Sequence, residues 1–573
     1  MSTQQTLAGG QFLTQTIGPN DIFTREDLTE EQRMFGRTAA EFMRNEVLPH
    51  EARIYAHDWD LTRELLRKAA AIDLMRLEIP EAYGGLGLDK VSAALVGEQI
   101  AVNPSFAGSL GAHTSIGTLP LVYFGTEAQK AQYLPRLASG ELIAAYALTE
   151  PESGSDALAA KTTAVLSADG RHYVLNGQKM WITNGGFADL FTIFAKVNGE
   201  KFTAFLVERG MGVVSGAEEK KLGLDGSSTT ALMLDAVHVP VENVLGTIGH
   251  GHKVAFNILN LGRVKLGTRN MSSAKQALAH ATEYAKARRQ FGRAIAEFGM
   301  IKQKLAEMCV RCFVGDAMVF RALGDVDRAL EAEDPGNSAG VLKTIEGFAV
   351  ECSVNKVFTS EALAYVVDEA LQIFGGNGYS REFPAERAYR DARITRIYEG
   401  TNEINRLIVP TRLLKTGTPS LQDEETRPLF TGGPLSAERG VLNRIKGIAL
   451  AMLSETAAAH GAAVRDQQEL LGHIADVVIE AYAVESGIGR AEKLRAARNA
   501  NGDAALDVAR VFVSDSADRV VHSARQVARS LGAERSRSIH RLLMKLGEFD
   551  GVDTVAARRR IADVVIAAGK HPF

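Results

Sequence analysis

The chain has 573 residues, too many for one hydrophobic core, so several domains are expected. Hydrophobic residues make up 46% and charged residues 23%, and a net charge of −4 argues against a general nucleic-acid binder. No uninterrupted apolar run reaches the ~20 residues of a membrane span.

Residues 1–28 read as a loosely structured N-terminal arm. A helical domain is expected over 29–145. It opens with a capping box at Thr29-Glu30-Glu31-Gln32, and Phe35, Ala39, Phe42, Met43 and Val47 then share one helical face until Pro49 ends it. Further helices are expected at Leu61–Ile72 and Val91–Val102, and a glycine-rich one around Phe106–Ile116. Over 146–249 the period becomes two. Val165, Tyr173, Leu175, Phe191, Ile193, Phe202, Ala204, Leu206, Leu232 and Leu234 take alternating positions, and Asp169-Gly170, Asn176-Gly177 and Asn198-Gly199 predict hairpins between antiparallel strands. A middle helical bundle follows over 250–414, with long helices at Phe256–Arg289, Met300–Glu331 and Ala339–Phe374. Residues 415–435 read as a linker, since Lys415 to Pro434 holds three prolines and four threonines. A C-terminal helical domain, 436–573, turns Ile474, Val478, Ala481 and Tyr482 inward. The expected fold is mostly α with an inserted β domain, an α–β–α core plus a C-terminal helical domain.

Three cysteines make no disulfide framework. Cys309-x-x-Cys312 lies inside a helical run with Leu305, Met308 and Phe313, which predicts a buried face rather than a redox pair. Without a second Cys or His pair nearby, no metal site is expected. The N-terminus lacks secretory or transit character and His571-Pro572-Phe573 is not a peroxisomal tripeptide, so the cytoplasm is the expected compartment.

The chemistry concentrates in Arg396-Ile397-Tyr398-Glu399-Gly400-Thr401-Asn402-Glu403-Ile404-Asn405-Arg406. A carboxylate sits there beside a glycine, with a hydroxyl and an amide just beyond, a kit that suits a general base against a flat, partly apolar partner. Alone, the tetrapeptide Tyr398–Thr401 reads as a glycine-broken helix junction with an exposed Glu. Two other stretches bear on it: Gln372-Ile373-Phe374-Gly375-Gly376-Asn377-Gly378-Tyr379 and Tyr146-Ala147-Leu148-Thr149-Glu150-Pro151-Glu152-Ser153-Gly154-Ser155-Asp156.

In order and spacing these three stretches resemble the motifs of the acyl-CoA dehydrogenase family, over about residues 30 to 415. Leu110-Gly111-Ala112-His113 and the long C-terminal extension make the very-long-chain branch the nearest likeness. The resemblance implies FAD as cofactor, an acyl-CoA as substrate and a trans-2-enoyl-CoA as product, with electrons passing to an electron-transfer flavoprotein. It makes Glu399 the base that removes the Cα proton, while the Cβ hydride needs an electron sink that no side chain provides. The Glu399 N–H with a flavin hydroxyl would hold the thioester oxygen, a contact of ~3–4 kcal/mol. Apolar closure around substrate is expected to raise the Glu399 carboxyl towards neutrality. Glu403, four residues on, is the rival carboxylate, but the family pattern makes it a flavin contact, as it does Thr401.

By the same resemblance Tyr146, Leu148, Thr149, Gly154 and Ser155 offer backbone groups and hydroxyls to the flavin, and Trp181, Ile182 and Thr183 form the second flavin segment. Arg288, Phe291, Gln372, Gly375 and Gly376 would reach the flavin of a neighbouring subunit, which implies a homodimer; Gly375–Gly378 alone also reads as an ordinary loop. Ser155, Asn260, Arg263, Tyr398 and Gly400 fall where the family contacts acyl-CoA. Gly108 and Gly111 share a helix face at the pocket floor, and helix glycine costs ~1 kcal/mol against alanine. Either a close neighbour or a long acyl tail needs that space. Residues 490–545 carry twelve Arg/Lys against six Asp/Glu, which in the very-long-chain branch suits peripheral membrane contact and otherwise is a solvated helix face. An acyl-CoA oxidase and an assembly or scaffold protein on the same fold are the alternatives.

Overall fold

The computed structural model describes residues 8–15, 17–334, 338–416 and 433–573, so most of the expected linker lies outside the described residues. The chain forms two compact units, Thr29–Lys265 with Glu333–Ile345, and Leu266–Ala332 with Glu346–Phe573 and the N-terminal residues up to Leu28.

In the first unit short polar residues start the helices. Thr29 accepts from the Gln32 N–H at 3.2 Å while its own N–H donates to Gln32 Oε1 at 3.0 Å, which sets the start of the Glu30–Phe42 helix. Asp58, Asp89 and Asn103 cap the helices Trp59–Ala71, Lys90–Ile100 and Pro104–Gly111. The last of these runs on as one π-helical stretch, Ala112–Gly117. Phe42, Leu65, Leu66, Phe106 and Leu110 form the core between these helices. His113 is structural: its Nδ1 accepts from the Ala144 N–H and its Nε2 faces the Leu137 carbonyl, and burial pulls its pKa down to about 4.

The sheet of this unit has eight strands: β1 Ala144–Ala147, β2 Thr163–Leu166, β3 His172–Thr183, β4 Leu190–Val197, β5 Lys201–Glu208, β6 Val214–Glu218, β7 Thr229–Pro240 and β8 Val244–Leu245. Their order is β6-β7-β3-β2-β4-β5-β8, with β1 beside β4. The sheet is mixed rather than antiparallel throughout, because β1 and β2 run parallel to β4. Asp169-Gly170 and Asn198-Gly199 are turns, as expected. Asn176-Gly177 is not. It lies inside β3 at a register shift against β7, where a Cβ on Gly177 would stand 2.5 Å from Thr162 Oγ1. The glycine serves close strand approach, a need that looks like a hairpin in sequence. Val165 also departs from expectation and faces solvent.

The second unit is helical: Gly299–Glu331, Ala349–Phe374, Asn402–Lys415, Ser436–His460, Gln468–Ala496, Gly502–Arg535, Arg537–Gly547 and Thr554–Ala568. The expected Ala339–Phe374 helix is two, Ser338–Gly347 and Ala349–Phe374, broken at Phe348. Cys309 and Cys312 are buried, and burial raises both thiols, Cys312 to about 12.

The described residues of the N-terminal arm are not loose. Phe12, Leu13, Ile17 and Ile22 are buried in this unit's core, and Phe12 meets the Tyr482 ring edge-on at 4.9 Å. The Gly10 N–H donates to Glu351 at 2.8 Å, Lys446 to the Gln15 carbonyl at 3.0 Å and Arg439 to the Ile17 carbonyl at 3.1 Å. The segment is too short for a hydrophobic period to show.

Among the described residues one stretch, Ser436–Asp466, contains a window long and apolar enough to cross a membrane by length and composition. It holds no uninterrupted apolar run of that length, because Arg439, Arg444, Lys446 and Glu455 interrupt it. Its Leu442, Ile445, Ile448 and Leu450 lie in the core, and Arg439 and Lys446 pair with Glu492 and Glu485 of the Gln468–Ala496 helix.

Candidate active site

Glu399 stands on a loop before the Asn402–Lys415 helix, whose first turn Thr401 caps by accepting from the Ile404 N–H at 3.3 Å. The backbone at Glu399 and Gly400 is left-handed, with φ of 59° and 80°. For a glutamate that costs ~1–2 kcal/mol, so the surroundings must impose it. The carbonyls of Glu399, Gly400 and Thr401 all turn towards Asn405 Nδ2, at 3.4, 2.8 and 3.0 Å. From the Ala349–Phe374 helix, Lys356 Nζ donates to the Gly400 carbonyl at 2.8 Å and to Asn402 Oδ1 at 2.6 Å. Glu361 of that helix takes Arg406 at 2.7 Å, and Arg406 also reaches Asp476 at 2.7 Å. The loop is thus tied at its back to two long helices.

Arg269 is the cation that interacts with Tyr398 and Glu399; burial lowers its pKa, against the pull of those two groups. Glu403 is exposed, and its own N–H together with Thr401 holds its carboxyl below the ordinary value. It is therefore a poor proton acceptor at neutral pH.

In the same unit the chain turns after the Gly251–Ala287 helix through a two-residue hairpin, Arg289–Gln290 with Arg293–Ala294. Phe291 and Gly292 take its left-handed positions. Tyr284 stacks on Phe374 at 4.2 Å and accepts from Asn377 at 3.0 Å, which joins this hairpin's root to the Gly375–Tyr379 turn. Arg288, Phe291, Gln372, Gly375 and Gly376 are all exposed, and a Cβ at either glycine would meet nothing within 4 Å. Phe291 and Tyr379 are 93% and 89% exposed, a large apolar area for water to cover.

In the first unit the flavin-type segments are braced against one another. Glu150 is buried and accepts from the Thr162 hydroxyl at 2.5 Å, the Thr162 N–H at 3.2 Å, the Lys161 N–H, and Lys179 Nζ at 2.6 Å. Burial would raise its carboxyl, but Lys179 and these donors outweigh that and hold it below the ordinary range. Burial pulls Lys179 down to about 8 against the pull of Glu150, so both partners are charged at pH 7. Lys179 also donates to the Leu148 carbonyl at 3.3 Å, and the Met180 N–H to Thr149 O at 3.0 Å.

One residue further, at an irregularity in β3, Trp181 has φ of 60° and is 53% exposed. A tryptophan in a strand is usually core; here the backbone turns it out. Ile182 is buried, and Thr183 is half-buried. Tyr146 and Leu148 point their side chains inward, so only their backbone is available to a cofactor, whereas Gly154 and Ser155 are exposed and Thr149 is half-buried.

Asn184 donates to the Ser109 carbonyl at 2.9 Å and ties this strand to the helix carrying Gly108 and Gly111. Both glycines are half-buried, and a Cβ on Gly108 would make only ordinary contact, 3.4 Å from Ser227 Oγ. Asn260 and Arg263 are buried within the Gly251–Ala287 helix, with Arg263 donating to Asn260 Oδ1 at 2.8 Å.

Family profiles described as the acyl-CoA dehydrogenase N-terminal, middle and C-terminal domains match residues 29–141, 145–237 and 249–414, and a further C-terminal domain profile matches 444–544. The chain belongs to the acyl-CoA dehydrogenase family. It is 44% identical to a probable acyl-CoA dehydrogenase of Bacillus subtilis, over 98% of both chains. It is 39% identical to the human mitochondrial very long-chain specific acyl-CoA dehydrogenase over 70% of this chain and 60% of that one. Among solved structures it is similar to an acyl-CoA dehydrogenase complexed with FAD from Bacillus anthracis, with a TM-score of 0.95 and 41% identity over 99% of this chain and all of that one. A chain in a structure described as the electron transferring flavoprotein of Acidaminococcus fermentans is 37% identical, with a TM-score of 0.62 over 68% of this chain and 99% of that one.

Within this acyl-CoA dehydrogenase the residues sequence reasoning missed are supports: Lys356, Arg269 and Lys179. Lys356 had a faint signal, a lone lysine in the otherwise uncharged run Cys352–Ser360. Arg269 had none, since an arginine in a helix normally reads as a solvated face.

Proposed function

We propose that this enzyme oxidises an acyl-CoA thioester to the trans-2-enoyl-CoA with Glu399 as the base. The observation that carries the reading is the left-handed Glu399–Gly400 pair held from behind by Lys356 and Asn405, since such strain persists where a side chain must be aimed. Glu399 takes the Cα proton, and its own N–H donates to the thioester oxygen as charge develops there. Bound FAD supplies the acceptor for the Cβ hydride. The residues present suit a flat, polar-edged cofactor: an outward indole at Trp181, the exposed Gly154–Ser155 turn and the braced Leu148–Glu150 segment. The FAD complex of the Bacillus anthracis relative supports the same cofactor.

The half-buried Gly108 and Gly111 support a long acyl chain, as does the likeness to very long-chain enzymes. An electron-transfer flavoprotein is the proposed acceptor. The exposed Phe291 and Tyr379 support a homodimer that covers them; a monomer in sedimentation at micromolar concentration would refute it. Arg525, Arg529, Arg535, Arg537, Arg541 and Lys545 are all exposed. They support a cytoplasmic enzyme touching an anionic membrane face, which fails if liposomes do not co-sediment it at low salt.

The deciding experiment titrates the flavin spectrum with acyl-CoAs of increasing length, comparing the native enzyme with Glu399→Gln. The native flavin should bleach, most readily with long chains. The variant should bind yet stay oxidised, and bleaching of the variant at the native rate would remove Glu399 from the reaction.

A further inference from the structure

We propose that Lys356 is the positioning residue of the catalytic loop, its buried ammonium fixing the backbone from which Glu399 acts. The proposal rests on Glu399 being the base, and deepens that reading. Lys356 is fully buried. Taking an ammonium out of water costs several kcal/mol, so it needs hydrogen-bond partners, and two of those it has, the Gly400 carbonyl and Asn402 Oδ1, belong to the loop and the first residue of its helix.

The energies are of matching size. Left-handed backbone at Glu399 costs ~1–2 kcal/mol, and a hydrogen bond from a charged donor contributes ~1.5–3 kcal/mol. Asn405 cannot replace it, because one amide is shared among three carbonyls at 2.8 to 3.4 Å. Geometry adds a second reason. In a trans peptide the C=O and N–H point opposite ways. Drawing the Glu399 and Gly400 carbonyls back towards Asn405 and Lys356 turns the N–H groups of Gly400 and Thr401 to the other side. Lys356 touches no reacting atom; it sets where Glu399 sits.

The test compares Lys356→Met, Lys356→Gln and Lys356→Arg as flavin-loaded full-length enzymes. Lys356→Met should lose about 10- to 100-fold in kcat, as a misplacement near 1 Å does, with KM changed far less. The arginine and glutamine variants keep a donor for the Gly400 carbonyl and should recover part of the rate. A folded, flavin-loaded Lys356→Met with native kcat overturns the proposal. So does a Lys356→Met no slower than the two donor-bearing variants. If none of the three loads flavin, Lys356 serves only folding and the proposal is equally overturned. Glu399→Gln separates the two ideas: retained turnover there sinks the base, whereas a dead Glu399→Gln beside an active Lys356→Met sinks only the positioning role.

Discussion

Replacing Lys179 by methionine tests whether the flavin segments are held by a buried charge. The change leaves Glu150 buried with its Thr162 and Lys161 donors but without its cation. Removing one partner of a buried ion pair costs ~3–5 kcal/mol, and because the backbone donors remain, the lower end applies. For a unit of this size, ~3 kcal/mol lowers the melting midpoint by roughly 6–12 °C. The loss should fall on the Leu148–Glu150 segment, which Lys179 also holds through the Leu148 carbonyl. Flavin should therefore dissociate during gel filtration, seen as a reduced ratio of flavin to protein absorbance. Adding Glu150→Gln removes the stranded charge and should restore more than half of the loss. The pH dependence has a fixed sign. Glu150 is held below its ordinary 4.5 in the native protein, so its contribution is complete above pH 4.5 and is lost as pH falls through its folded value. The gap between native and variant should close in acid. A Lys179→Met protein that melts with the native enzyme and keeps its flavin would refute the reasoning.

Glu351→Gln should stabilise the enzyme in a pH-dependent way. Burial raises the Glu351 carboxyl from 4.5 to about 7, so the native fold favours the neutral acid and loses stability as pH rises through that window. The difference corresponds to about 3 kcal/mol, and glutamine keeps the acceptor for the Gly10 N–H. Thermal midpoints should coincide near pH 4.5 and favour the variant above pH 7; a constant offset would contradict this. Gly108→Leu should move the chain-length optimum to shorter acyl-CoAs while helix propensity improves by roughly 0.8 kcal/mol. An unchanged substrate profile with lower stability would show instead that Gly108 serves close packing against Ser227.

What was legible in sequence followed from locality. The capping box at Thr29 involves four consecutive residues and is present in the structure as read. Cys309 and Cys312 were legible as a helix face because a long helix repeats its period many times. The N-terminal arm was not, since Phe12 and Leu13 are buried by helices more than 300 residues away in sequence. Trp181 was singled out in sequence only through its motif; its outward direction depends on a left-handed residue at a strand irregularity, which no alternation pattern reports.

The site divides in the same way, and for a physical reason. A base, the glycine after it and the cap beyond it must be consecutive, because one loop carries them, so they form a motif. What holds that loop need only be near in space. Lys356 precedes Glu399 by more than ten helical turns' worth of chain, on another helix, and Asn405 lies one turn into the next. Such supports are typed only by burial and by what they touch: a lysine is costly to bury, so one found with no exposure needs the partners its ammonium meets, here the Gly400 carbonyl and Asn402 Oδ1 among them. The strained Glu399 and the buried Lys356 therefore explain each other, since neither would persist on its own energetics.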